Sequence, residues 1–282
     1  MKVVLVSDFL YSEIPGGAES NDDILKGLLE DRKHDVLHKK TSSFNELLAS
    51  EEVNADIYII SNFYFISEEA KTFLSDKKYI IIEHDYKFLS TRNPAEYRDC
   101  IAPSDKIIHQ DFYKGAVKVL VQSQLQLNIF NKNINLNNLE NFSGNLWAER
   151  ALEHLDALSH TNKNGRAAIL DDDSWVKGKN ASIQFCDRYQ IAYDLIPKQE
   201  YFNFLTSLSR YSLYVFFPQT PETLSRVTLE AKMMNLSVIT NEFTGAYHED
   251  FYSLSGKGLI KKMWDKRDDI LDIIEEQLKD GE

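Results

Sequence analysis

Pro218-Gln219-Thr220-Pro221-Glu222-Thr223-Leu224-Ser225-Arg226-Val227-Thr228-Leu229-Glu230-Ala231-Lys232 is the stretch from which the rest of the chain can be read. Before it runs Leu213-Tyr214-Val215-Phe216-Phe217, β-branched and aromatic and short enough for a buried strand. After it, Val227, Leu229, Met233 and Met234 sit among helix formers, and Leu236-Ser237-Val238-Ile239-Thr240 predicts the next strand. Strand, loop, helix, strand is half of a parallel α/β unit. Its loop lies at the carboxyl end of the strand, where open α/β sheets bind their ligands. Two carboxylates belong to the unit, Glu222 in the loop and Glu230 on the helix, with seven residues between them. The backbone N–H groups of Leu224, Ser225 and Arg226 are expected to face an anion from the helix start.

This spacing, with Leu229-Glu230-Ala231 closing it and a strand close behind, resembles the E-x7-E signature of retaining GT-B glycosyltransferases, in particular family 4. There the segment reads Pro-Ser, a short gap, Glu-Gly-Phe-Gly, then Leu-Glu-Ala. Pro218, Glu222 and Leu229-Glu230-Ala231 match, and Thr223-Leu224-Ser225 replaces the glycine-containing turn. The resemblance implies an α/β fold of the GT-B type: two Rossmann-like domains facing across a cleft, with a C-terminal helix crossing back. It also implies a nucleotide-sugar donor, UDP- or GDP-sugar, used as a substrate with no cofactor and no metal.

Composition bounds the alternatives. The chain has 282 residues, enough to bury the cores of two domains, and its 43% hydrophobic content is globular rather than disordered. Its 32 basic against 44 acidic residues give a net charge of −12, which argues against nucleic acid as a partner. Cys100 and Cys186 are too few for a disulfide framework or a zinc site. No apolar run approaches the ~20 residues of a membrane span, and Met1–Val6 is too short for a signal peptide. A cytoplasmic protein without an integral membrane segment is expected.

Lys2-Val3-Val4-Leu5-Val6-Ser7 opens the chain as a strand. Pro15-Gly16-Gly17-Ala18-Glu19 follows, then Ser20, which with Asp23 predicts a helix cap, and Ile24, Leu25, Leu28 and Leu29 as the buried stripe. The glycine pair lets backbone approach a ligand without a Cβ between them. It is not G-x-G-x-x-G, so a dinucleotide fingerprint is absent. The segment is similar to the family's N-terminal glycine loop, which implies that Gly16 and Gly17 face the donor diphosphate and the acceptor. His34–Leu37, Asp56–Ser61 and Tyr79–Ile82 predict strands, and Ser67–Leu74 predicts a helix. The strand at Tyr79 ends in Glu83-His84-Asp85-Tyr86. A histidine there is either a capping residue or, as the resemblance implies, a catalytic group touching the transferred sugar or acceptor. Tyr86–Asp111 is polar and irregular, an acceptor-side region with Arg92, Tyr97 and Arg98. Val117–Val121 predicts a strand and Ser123–Gln126 a helix start. Asn131–Asn145, rich in Asn, reads as the interdomain linker.

Three parts are expected: residues 1–135 on the acceptor side, 136–262 for the nucleotide-sugar donor, and a helix in 263–282 packing back on the first. In the second part, Leu146–Leu158 predicts a helix, Arg166–Leu170 a strand, Ala181–Tyr189 a helix and Ile191–Ile196 a strand. Tyr201, Phe204, Leu205 and Leu208 then mark a core-facing helix. Thr244-Gly245-Ala246 is a glycine turn past the last strand. Asp265–Leu278 is a charged helix with Ile270, Leu271, Ile273, Ile274 and Leu278 on one side. The resemblance assigns Lys177 of Lys177-Gly178 to the diphosphate, a task suited to a point charge. Where the family carries an arginine five residues earlier, this chain has Asp172, leaving Arg226 as the second cation.

The implied site is Glu222 and His84 as catalytic groups. Gly16, Gly17, Lys177, Thr223, Leu224, Ser225, Arg226 and Glu230 would bind the donor, Glu230 through the ribose hydroxyls. The acceptor would be a glycan or lipid-linked hydroxyl. Three other readings stay open. Asp171 and Asp173, in a loop that reads as solvated, would hold a divalent metal in a GT-A enzyme. A sugar epimerase or phosphorylase would share the architecture. A catalytically silent module would bind nucleotide or glycan without turnover.

Overall fold

The computed structural model describes residues 1–279, with side chains through residue 277. The predicted contribution of Leu278 and the last three residues of the C-terminal segment lie outside the described residues. The chain divides into two compact units. The first comprises Met1–Gln122, Leu127–Leu146 and the residues from Lys266 onward; the second comprises Ser123–Gln126 and Trp147–Asp265.

The first unit is built on six strands: β1 (Lys2–Ser7), β2 (Asp35–Lys40), β3 (Ile57–Ile60), β4 (Tyr79–Ile82), β5 (Lys118–Val121) and β6 (Leu139–Asn141). They lie in the order β2-β1-β3-β4-β5-β6, every pair parallel. All residues of β3 and β4 are buried, as expected of strands covered on both faces. Alternation along each strand divides the core in two. One face buries aliphatic side chains, Val3, Leu5, Ile57, Ile59, Ile80 and Ile82, against Leu25 and Leu29 and against Ile270, Leu271 and Ile274 of the last helix. The other side of the sheet is aromatic, with Tyr58 edge-on to Phe44 and Phe73, and Phe63 edge-on to Phe112 and Tyr113. Arg32 fixes the last helix further through Asp268, Asp272 and Glu275, at 2.9, 2.6 and 2.7 Å.

The second unit carries β7 (Ala167–Asp171), β8 (Tyr193–Pro197), β9 (Leu213–Phe216) and β10 (Ser237–Thr240), in the order β10-β9-β7-β8, also parallel throughout. Its main core joins Leu152, Leu155, Leu205, Leu208, Tyr214, Leu229 and Met233. Among the described residues, no helix is long and apolar enough to cross a membrane.

Two local expectations are corrected. The helix after the glycine pair runs Gly17–Asp31 with Gly16 before it in extended conformation, so Ser20 is not its cap. The polar side chains that suggested a later start serve distant partners instead. Asn21 Oδ1 accepts from the Leu146 backbone N–H at 3.0 Å, and Asp22 Oδ1 accepts from Ser61 Oγ at 2.5 Å. The Asn-rich stretch is likewise no linker. It holds the end of the helix Gln124–Asn133 and then β6, anchored by buried Ile134, Leu136 and Phe142. The long run of the second unit begins at Trp147.

Candidate functional site

The second unit holds most of the predicted donor-binding residues, on the loops and the helix that follow β7 and β9. After β7 the chain passes through a short turn, Trp175–Lys177, to Gly178 with φ 66. A Cβ on Gly178 would lie 1.7 Å from the Phe217 carbonyl oxygen, so the Lys177 loop sits directly on the end of β9. The Gln219 N–H donating to the Val176 carbonyl at 2.9 Å ties the two loops together. Gly178→Ala is therefore expected to cost more than the ~1–2 kcal/mol of a left-handed non-glycine residue, since backbone must also move. Urea unfolding reads this directly, and a cost below that range would show the loop to be pliable.

The Glu222 loop is fixed from its other side by the segment after β10. Glu222 N–H donates to Phe243 O at 2.7 Å, Gly245 N–H to Glu222 O at 3.0 Å, and Ala246 N–H to Leu224 O at 2.9 Å. Gly245 allows this, because a Cβ there would stand 2.2 Å from the Thr223 carbonyl oxygen. Leu224 buries its side chain in the core and Thr223 packs its carbonyl on Gly245. Ser225 takes φ 72 before the helix Arg226–Met233, in the place where the family segment has glycine, and its Oγ pairs with Thr228 Oγ1 at 2.9 Å.

Two ion pairs occupy this setting. Lys177 Nζ lies 2.7 Å from Glu222 Oε1, with both side chains partly exposed. Glu230 is 1% exposed, and Oε1 accepts from Trp147 Nε1 at 2.9 Å and from Tyr201 Oη at 2.8 Å. The Arg226 guanidinium stacks 4.5 Å from the Trp147 ring centre, with Nε 3.8 Å from the same carboxylate oxygen. A buried carboxylate needs such partners. Burial, then the Glu230 charge, pushes the Tyr201 hydroxyl above its ordinary value. Tyr214 is fully buried in the core with its hydroxyl unpartnered. Burial, then Glu222 and Glu230, holds its pKa well above the usual range.

In the first unit, the predicted groups lie around the carboxyl ends of β1, β3 and β4. His84 has a side chain 5% exposed; Nδ1 accepts from the Gln122 amide, and Nε2 faces Asp22 Oδ1 at 3.5 Å. At the glycine loop, Glu19 folds back so that its Oε2 stands 2.2 Å from where a Cβ on Gly16 would be. Burial, with Asp22 and Asp8 adding to it, raises the Glu19 carboxyl against the pull of its own backbone N–H. Gly16 and Gly17 thus open a helix whose start is covered by an internal carboxylate.

Sequence reasoning missed Trp147, Tyr201 and Asp22 as polar partners. The signal for the first two was chemical: a Trp or Tyr placed in a core must still satisfy its N–H or O–H. Asp171 and Asp173 are both held by Lys179, whose Nζ is 2.8 Å from Asp171 Oδ1. Asp172 accepts the Ser174 N–H at 2.8 Å. Among the described residues, no group of three His, Cys, Asp or Glu side chains is arranged around a common point for a metal.

No protein-family model and no curated protein sequence matches the chain. Solved structures do. HepE of Anabaena, solved with UDP and glucose, shares 13% identity over 99% of this chain and 92% of its own, with a TM-score of 0.56. Sucrose-phosphate synthase from Thermosynechococcus elongatus shares 9% identity over 87% of this chain and 82% of its own, at 0.61. A glycosyltransferase from Rickettsia africae shares 13% identity over 99% and 98%, at 0.57. The two parallel sheets, taken with these likenesses, give the chain the GT-B fold, and the GT-A alternative built on Asp171 and Asp173 falls.

Proposed function

We propose that this chain is a glycosyltransferase that moves a sugar from a nucleotide-sugar donor, UDP- or GDP-linked, to a glycan or other hydroxyl acceptor, with retention and without a metal. The observation that carries the reading is two ion pairs, Lys177 with Glu222 and Arg226 with Glu230, on the joined loops and the helix that follow β7 and β9 of one parallel sheet. Carboxyl ends of such strands are where α/β sheets hold ligands. The GT-B fold and neighbours solved with UDP support the same assignment.

In this reading Lys177 and the start of the helix Arg226–Met233 receive the diphosphate, with Arg226 as the second cation. They stabilise the charge that develops on the leaving group, the effect that contributes most to catalysis of this type. Glu222 orients hydroxyls of the sugar and faces positive charge at the anomeric carbon. Glu230 takes the ribose through charge-assisted hydrogen bonds. His84 meets the Gln122 amide at the end of β4. Glu222 stands against Lys177, and in this reading donor binding exchanges that anion for another.

Thermal denaturation with UDP-, GDP-, ADP- and CMP-sugars tests the assignment. A donor at a hundred times its Kd should add about 2.7 kcal/mol of stability, and product analysis with and without acceptor then separates transfer from epimerisation and phosphorolysis. Turnover should survive excess chelator. A chain stabilised by no nucleotide sugar would not be a glycosyltransferase of this kind.

A further inference from the structure

Glu230 is held in an unusual way for a ligand-binding carboxylate. Two donors from separate parts of the chain, the Trp147 indole at 2.9 Å and the Tyr201 hydroxyl at 2.8 Å, both go to Oε1, and neither reaches Oε2. Trp147 is fully buried, and it is wedged beneath the Arg226 guanidinium. Tyr201 stands at the start of the helix Tyr201–Leu208, which is itself capped by Glu200 through the Phe202 and Asn203 N–H groups at 3.1 and 3.2 Å. Neither donor can swing without disturbing the core around it. A carboxylate has about four acceptor positions, two on each oxygen, and those on Oε1 are filled.

We propose that Trp147 and Tyr201 are positioning residues that fix the rotamer of Glu230 and leave Oε2 as the oxygen offered to a nucleotide, so that the pair sets the preference for a ribonucleotide over its deoxy counterpart. This rests on the donor-site reading above. An unrestrained carboxylate would rotate to find new partners when a hydroxyl is missing. One clamped through Oε1 cannot, and the missing hydroxyl leaves Oε2 unsatisfied. That asymmetry is what turns a hydrogen bond into discrimination. Arg226 gains from the same arrangement, because its guanidinium stays stacked while the carboxylate stays in place.

Calorimetric titration with UDP, 2′-deoxy-UDP and 3′-deoxy-UDP tests the proposal. Wild type should bind UDP about tenfold more tightly than at least one deoxy form, the effect of one hydrogen bond to a charged group. Tyr201→Phe removes a single oxygen and should bring that ratio below about threefold, with Trp147→Phe acting in the same direction. A purely structural role would weaken all three nucleotides alike and keep the ratio. Retention of the wild-type ratio in a folded Tyr201→Phe protein, while Glu230→Gln abolishes it, overturns the proposal and leaves the donor site standing. A wild-type chain that binds UDP, GDP and ADP not at all removes the donor site, and the proposal with it.

Discussion

Lys177→Ala should lower turnover by about 10²–10³-fold and weaken UDP binding, whereas Glu222→Gln should lower turnover but tighten UDP binding. The opposite signs follow from the 2.7 Å ion pair between the two residues. Removing the lysine deletes a cation aimed at the diphosphate and also leaves Glu222 as an uncompensated negative charge beside it. Removing the glutamate's charge frees the same ammonium for the incoming anion while taking away the group that orients the sugar. Neither change should cost much stability, since Lys177 is 35% and Glu222 20% exposed and partly exposed pairs contribute ~1 kcal/mol or less. Loss of activity would therefore not be a folding defect, and the unfolding midpoint provides the control. Calorimetry with UDP and steady-state rates with the preferred donor check both variants. Glu222→Gln binding UDP more weakly than wild type would mean that the carboxylate does not stand where phosphate binds.

How much of this is legible in the sequence depends on which physical effect wrote it. The runs Ile57–Ile60 and Tyr79–Ile82 declare themselves, because a strand covered on both faces has no polar residue to break the pattern. β6 does not: Leu139-Glu140-Asn141 is strand only because β5 pairs with it and Phe142 anchors its end. Asn and Asp look like local signals, a linker and a helix start, yet their side chains are committed across the fold. Asn138 bonds the Tyr113 carbonyl, Asn133 that of Cys100, and Asp22 holds Ser61. The site divides in the same manner. Motif spacing finds Lys177, Glu222 and Glu230, because the chemistry needs those residue types near a strand end. It says nothing of Lys177 pairing with Glu222, nor of Trp147 and Tyr201 converging on one oxygen. Those contacts span 45, 83 and 29 residues of sequence and exist only once the sheet has formed.

The largest stability effect is expected in the first unit, beside His84. Glu83 is fully buried at the end of β4, and its carboxylate accepts from Lys87 Nζ at 2.6 Å, from the Asp85 N–H at 2.9 Å and from the Tyr113 hydroxyl. Lys87 is itself 3% exposed, with its ammonium 5.4 Å from the centre of the Phe63 ring. Burial pushes the Glu83 carboxyl upward and Lys87 opposes it. Lys87→Met strands that carboxylate, so a loss of about 3–5 kcal/mol is expected, as for any buried pair broken on one side. The loss should also depend on pH with a definite sign. With the cation gone, the folded state keeps Glu83 protonated to a still higher pH, while the unfolded chain ionises it in the ordinary carboxylate range. Between those two points the folded state binds the extra proton, so stability falls as pH rises, by up to ~1.4 kcal/mol per pH unit. Below the unfolded pKa the two states are protonated alike and the slope vanishes. Urea unfolding of Lys87→Met across about pH 5 to 8 measures this, and adding Glu83→Gln should remove the slope and recover much of the lost stability, because an amide has no charge to strand. A single variant with no pH slope and a loss under ~1 kcal/mol would mean that water reaches Glu83, and that the strand end carrying His84 is not held by this pair.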